Sequence, residues 1–84
     1  MNIKEAQSLI KSQYFERDRN RGLYATFTWF VEEVGELANA LLGMQRDSLE
    51  EEFADVFAWL LSLANLVNID LENAFKKKYV NGNV

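Results

Sequence analysis

Two acidic strings in this 84-residue chain have the residue types and spacing for chemistry: Glu32-Glu33-x-x-Glu36 and, further on, Glu52-x-x-Asp55. Each holds carboxylates at i and i+3, which on a helix are neighbours with Cβ atoms about 5–6 Å apart. Two such pairs facing each other across antiparallel helices make a cluster of four. Alone that cluster is unfavourable, because two like charges about 4 Å apart cost about 4 kcal/mol at an effective dielectric near 20. A divalent cation turns the repulsion into a binding site, and hard oxygen ligands suit Mg2+. Either string by itself is ordinary solvated helix surface. The argument for a site rests on two matched pairs on adjacent helices.

The remaining composition narrows the choice. Cysteine and histidine are both absent, which excludes disulfide scaffolds, Cys/His zinc sites, thiol nucleophiles and imidazole-based triads. A metal held by side chains therefore sits on carboxylate oxygen, which favours Mg2+, Mn2+ or Ca2+. The general base is expected to be a carboxylate as well. The four glycines are scattered at 22, 35, 43 and 82, so there is no Gly-rich phosphate loop. A net charge of -4 lends no support to binding a nucleic-acid polymer. The residues after Met1 form no signal-peptide core. The apolar run from Phe53 to Val67 contains Asp55 and is shorter than the ~20 apolar residues of a membrane span. These features lead to the expectation of a soluble, cytoplasmic protein without a membrane partner.

The elements that must position the carboxylates are helices. The spacing predicts one all-α domain over residues 1–84, with about four helices and no strand. The first covers about Ile3 to Phe15, with Ile3, Ala6, Leu9, Ile10 and Tyr14 at helical spacing. The charged stretch Glu16 to Gly22 reads as a loop. The second helix covers about Leu23 to Leu42 and ends at Gly43, a residue suited to a C-terminal cap. A short connection, Met44 to Asp47, makes the second and third helices an antiparallel hairpin. Ser48 and Glu51 read as a capping box that starts the third helix, which runs to about Val67. Asp70 caps a fourth helix ending near Tyr79, and Asn81 to Val84 reads as a frayed end.

Placed around these helices at about 100° per residue, Phe30, Val31, Val34, Leu37, Ala38 and Leu41 form one apolar stripe. Leu49, Phe53, Val56, Phe57, Leu60, Leu63, Ala64 and Val67 form another. Glu33 and Glu52 border the stripes, Glu36 and Asp55 lie a step further round, and Glu32 faces furthest away. The chain is 49% hydrophobic yet short for a self-sufficient core. Part of its apolar surface is therefore expected to be buried against another copy.

At these residues the sequence resembles a known family. Glu32-Glu33-Val34-Gly35-Glu36-Leu37 followed by Glu52-Phe53-Ala54-Asp55-Val56 looks like the signature of the MazG-like nucleotide pyrophosphohydrolases. That resemblance implies an all-α fold that assembles as a dimer or tetramer around a four-helix-bundle core. It also implies Mg2+-dependent hydrolysis of a (deoxy)nucleoside triphosphate to the monophosphate and pyrophosphate, with Mn2+ an alternative ion. Carried over by position, Glu33, Glu36, Glu52 and Asp55 would be metal ligands, and Glu32 would orient or deprotonate the attacking water. Lys78-Tyr79 resembles a basic-Tyr-Pro ending of some relatives, with Val80 in place of proline and Phe75 in place of an Asn.

Triphosphate oxygens away from the metal need cations. Arg17, Arg19 and Arg21 in the charged stretch and Lys76, Lys77 and Lys78 near the end are the candidates. Among them Arg19, Arg21, Lys76 and Lys78 are taken as the substrate contacts. Lysines in a last helical turn also favour the negative end of the helix dipole without any ligand. For the base an aromatic platform is expected, since stacking is worth roughly 1–3 kcal/mol per base. Trp29, one turn from Glu33, is the first candidate, followed by Trp59, Phe27 and Tyr14.

Two other readings fit less of the sequence. A non-catalytic acidic helical module that oligomerises and binds a partner would account for the third helix being apolar nearly all round. It leaves the matched carboxylates without a role. A di-iron carboxylate bundle would use Glu-x-x-His motifs, and the chain has no histidine.

Overall fold

Asn2 starts the first helix by a reciprocal cap. Its side chain accepts from the Glu5 N–H at 2.8 Å, and the Glu5 carboxylate accepts from the Asn2 N–H at 2.9 Å, so two otherwise free donors are satisfied. The structure is a computed structural model that describes residues 1–82. Helix α1 spans Ile3–Arg21, α2 spans Leu23–Gly43, α3 spans Arg46–Leu66 and the short α4 spans Leu71–Phe75, continued by one π-helical turn, Lys76–Val80. No strand occurs among the described residues. The fraying expected of Asn83 and Val84 lies outside those residues.

Three boundaries differ from the expectation. The stretch Glu16 to Arg21 is helix rather than loop. Its charges suit a helix because they pair one turn apart: Arg19 with Glu16 at 2.7 Å and Arg21 with Asp18 at 3.3 Å. The break is one residue, Gly22, at φ +99°, a conformation that only glycine adopts readily. At the end of α2, Gly43 is still helical and Met44 takes the left-handed position at φ 53°, its N–H donating to the Ala40 carbonyl. The reversal therefore needs only Met44 and Gln45. α3 begins at Arg46, and Ser48 lies inside its first turn instead of capping it. Asp70 caps α4 as expected, accepting from the Asn73 N–H at 3.0 Å.

The helices form one open layer rather than a closed bundle. α3 lies between α1 and α2, packing against both. Among the described residues the buried apolar side chains are few: Leu49, Leu61 and Ala64. The two stripes are only partly core: Leu49 and Ala64 of the second are buried. Val31, Val34, Leu41, Phe53, Phe57 and Leu60 lie on its outer face and remain 38–55% exposed. The molecule measures 36 × 35 × 23 Å. Its radius of gyration of 13.9 Å exceeds the about 12 Å typical of a compact chain of this length. No single helix among the described residues is long and apolar enough to cross a membrane.

One buried amide fixes the end of the layer remote from the α2–α3 turn. Gln7 donates to the Ile69 carbonyl at 2.6 Å and accepts from the Leu71 N–H at 3.0 Å. Asn65 donates to the Gln7 carbonyl at 3.2 Å. α1 is thereby tied to the end of α3 and the start of α4, which sets the angular position of α1 against α3.

Candidate metal centre

The antiparallel hairpin brings the acidic strings into one register. Trp29, Glu33 and Glu36 on α2 are separated by the same intervals, four and three residues, as Trp59, Asp55 and Glu52 on α3. Running the helices in opposite directions sets Trp29 against Trp59, Glu33 beside Asp55 and Glu36 towards Glu52.

Glu33, Glu52 and Asp55 converge: one oxygen from each lies within 4.8 Å of the others. Glu33 and Glu52 are half-buried, and Asp55 is exposed. The Oε2 atom of Glu52 is inaccessible and has no hydrogen-bond partner. Such an atom is costly to leave unpaired. The carboxyl of Glu33 is held above the ordinary carboxylate range, first by desolvation and then by the charges of Asp55, Glu52, Glu32 and Glu36. Glu52 is raised for the same leading reason, followed by Asp55, Glu36, Glu51 and Glu32. Glu36 is exposed and stands beside this group rather than inside it. It lines, with Glu52, a cavity of about 270 Å3 towards the α2–α3 turn. Glu32 is exposed on the outer side.

The donor set fits a hard divalent cation. Three carboxylate oxygens lie close enough to share one ion, and coordination would give the Glu52 oxygen its missing partner. No nitrogen or sulfur ligand is present to favour a softer metal.

An aromatic platform lies one turn away. The Trp29 and Trp59 rings stack at 6.4 Å between centroids with 19° between planes. The Arg21 guanidinium covers the Trp59 ring at 5.1 Å. Trp29 is half exposed, whereas Trp59 is more enclosed. Phe27, the third aromatic candidate, stacks on Phe30, and Tyr14 lies under Arg17 at 4.4 Å.

The cations expected to contact substrate are not brought together. Arg19 is engaged with Glu16. Arg21 is engaged with Asp18 and Trp59. Lys76 reaches Glu72 at 3.7 Å, and Lys78 lies over the Tyr79 ring at 5.3 Å. Glu72 in turn accepts from the Lys4 N–H at 3.2 Å, at the start of α1. That end of the layer is ten residues along α3 from Asp55, or about 15 Å, so the lysines stand apart from the carboxylates within one chain.

Reading the charged stretch as a loop concealed a residue of consequence. Asp18 is 2% exposed and accepts from Arg21 at 3.3 Å. Gln7, Tyr14, Asp18 and Arg21 recur at helical spacing, so the inward face of α1 continues past Tyr14 in polar residues. Extending the helical spacing through the charges would have found them.

A helical hairpin that presents a cluster of carboxylates beside a stacked tryptophan pair defines an all-α fold with a carboxylate-based candidate metal centre. The MazG nucleotide pyrophosphohydrolase domain matches residues 21–81, a span containing both acidic strings and most of the chain. The chain belongs to that family. Comparison with curated proteins finds no match.

Proposed function

We propose that this protein hydrolyses a (deoxy)nucleoside triphosphate to the nucleoside monophosphate and pyrophosphate, using Mg2+ or Mn2+. The observation that carries the reading is the convergence of Glu33, Glu52 and Asp55 within 4.8 Å, in a chain of the MazG family. Glu33, Glu52 and Asp55 would hold the ion, with Glu36 completing the set from the α2 side. Bound there, a divalent cation neutralises triphosphate charge and makes a water more acidic.

The chain's own groups supply the rest. Glu32, next to Glu33 and free of protein partners, accepts the proton of the attacking water. The water oxygen forms a bond to the α-phosphorus as the bond to the bridging oxygen breaks, and pyrophosphate leaves. Trp29 offers its outward face to the base, while Trp59 and Arg21 stiffen it from behind. The substrate is a free nucleotide rather than a polymer, in keeping with the net charge of -4.

We take the working form to be a homo-oligomer, a dimer or a tetramer. The exposed stripe of Val31, Val34, Phe53 and Phe57 supports this, as does the open layer. Contiguous apolar surface of this kind is covered in most soluble proteins, and a second copy of the same face supplies a four-helix core.

The test is to screen NTPs and dNTPs with Mg2+ or Mn2+ while detecting pyrophosphate and orthophosphate separately. Pyrophosphate should be the first product, and Glu33→Gln should lower the rate at least about 100-fold with unchanged far-ultraviolet circular dichroism. Orthophosphate as first product, or full activity in that variant, contradicts the reading.

A further inference from the structure

Beside Asp55, on the side facing α1, lies a cavity of about 140 Å3 lined by Tyr14, Arg17, Asp55, Ala58, Trp59 and Ser62. That is several times the roughly 10–15 Å3 needed by one water. It adjoins the carboxylate cluster through Asp55 and the aromatic pair through Trp59. Its one cation is Arg17.

The three arginines at the end of α1 differ in what already occupies them. Arg19 donates to Glu16 at 2.7 Å, and Arg21 donates to Asp18 at 3.3 Å. Arg17 is near only Asp18 Oδ1, with its Nε at 4.0 Å, beyond hydrogen-bond reach. Its guanidinium lies over the Tyr14 ring at 4.4 Å, and no hydrogen bond to a protein acceptor among the described residues consumes its donors. Asp18, 2% exposed, stands within an ion-pair distance of both Arg17 and Arg21 through one oxygen.

We infer that Arg17 is the phosphate-binding residue of this site and that the α1–α3 cavity receives the pyrophosphoryl end of the substrate. The inference rests on the hydrolase reading above for the identity of the substrate. A guanidinium presents paired donors that match two phosphate oxygens, and the Tyr14 ring beneath it favours its place at the cavity. Asp55 borders the same cavity, so an anion enters only when a cation on the carboxylates offsets that charge. Arg17 thus acts together with the metal centre. Asp18 places one buried carboxylate oxygen at ion-pair distance from both arginines. The residues that build this subsite from α1 precede Arg21 and so lie outside the stretch matched by the family domain.

Calorimetric titration of inorganic pyrophosphate, with and without Mn2+, tests the subsite without relying on turnover. Wild type should bind pyrophosphate only with Mn2+. Arg17→Gln should weaken that binding roughly 10- to 100-fold, the range carried by a hydrogen bond to a charged group. Arg17→Lys should recover part of it, because charge returns without the paired donors. Lys11→Gln, which removes one positive charge elsewhere on α1, should stay within about 2-fold, as surface charges are screened. Equal pyrophosphate binding by wild type and Arg17→Gln, or no binding by wild type, overturns the inference. The two readings separate in a nucleotide assay. Hydrolysis with unchanged KM in Arg17→Gln sinks the subsite and leaves the hydrolase. Arg17-dependent pyrophosphate binding without release of pyrophosphate from any NTP sinks the hydrolase and leaves the subsite.

Discussion

Trp29 and Trp59 stack at 6.4 Å, 19° from parallel, each four residues from a clustered carboxylate on its own helix: Trp29 from Glu33, Trp59 from Asp55. The pair therefore fixes the rotation of α2 against α3 at the level of the carboxylate cluster. A change at either ring is felt as a shift of the carboxylates as well as a loss of platform.

Trp29→Ala should raise KM for the preferred nucleotide about 5- to 150-fold, the equivalent of a stacking energy of roughly 1–3 kcal/mol. Trp29→Phe should recover most of it. Steady-state kinetics on the best substrate of the screen gives the answer, and an unchanged KM in Trp29→Ala removes Trp29 from the base site.

The raised carboxyls of Glu33 and Glu52 make the metal-free protein sensitive to pH in a defined direction. Their folded values lie above the unfolded value of about 4.5, so between the two the folded state binds more protons than the unfolded one. Stability then falls as pH rises through that window, and the penalty is complete above it. In chelator, wild type should gain thermal stability relative to Glu52→Gln as pH is lowered from 7 towards 4.5. Saturating Mn2+ at pH 7 should stabilise wild type far more than the variant. Parallel pH profiles for the two proteins would contradict the assigned crowding.

Asp18→Asn should destabilise the fold by about 1–3 kcal/mol, because it leaves Arg21 without its charged acceptor in a largely enclosed position. Urea denaturation followed by circular dichroism measures this directly. Glu16→Gln, which removes the exposed partner of Arg19, should cost less than about 0.5 kcal/mol.

Phe57→Glu places a charge in the middle of the exposed apolar face. Sedimentation should show an oligomer for wild type and a monomer for the variant, with helicity retained at low temperature. A monomeric wild type at high micromolar concentration would remove the proposed pairing of that face.

Residue spacing revealed the helices, the hairpin and the carboxylate register, because period-3.6 patterns and a short connection leave few alternatives. It told only in part which residues of each pattern face inward. Of the α3 stripe, Leu49 and Ala64 turn inward together with Leu61, which lies outside the stripe, while Phe53, Phe57 and Leu60 remain exposed. A sequence does not distinguish a stripe buried within a chain from one covered by another chain. The charged end of α1 misled for a different reason. Polarity alone resembled a loop, while the ion pairs one turn apart that stabilise it as helix are visible only when the segment is placed on a helical face.

Gly22 has a consequence for which changes of length the chain tolerates. A single residue at φ +99° joins α1 to α2, so it acts as a fixed elbow rather than a slack tether. One residue inserted after Arg21 would turn α1 by about 100° about its own axis relative to α2, or force Gln7 off its three hydrogen bonds. Lengthening the connection by two or three glycines leaves α1 free to keep its place, since loop closure adds little cost. Tolerance at this elbow should therefore be worst for the smallest insertion and recover as the insertion grows.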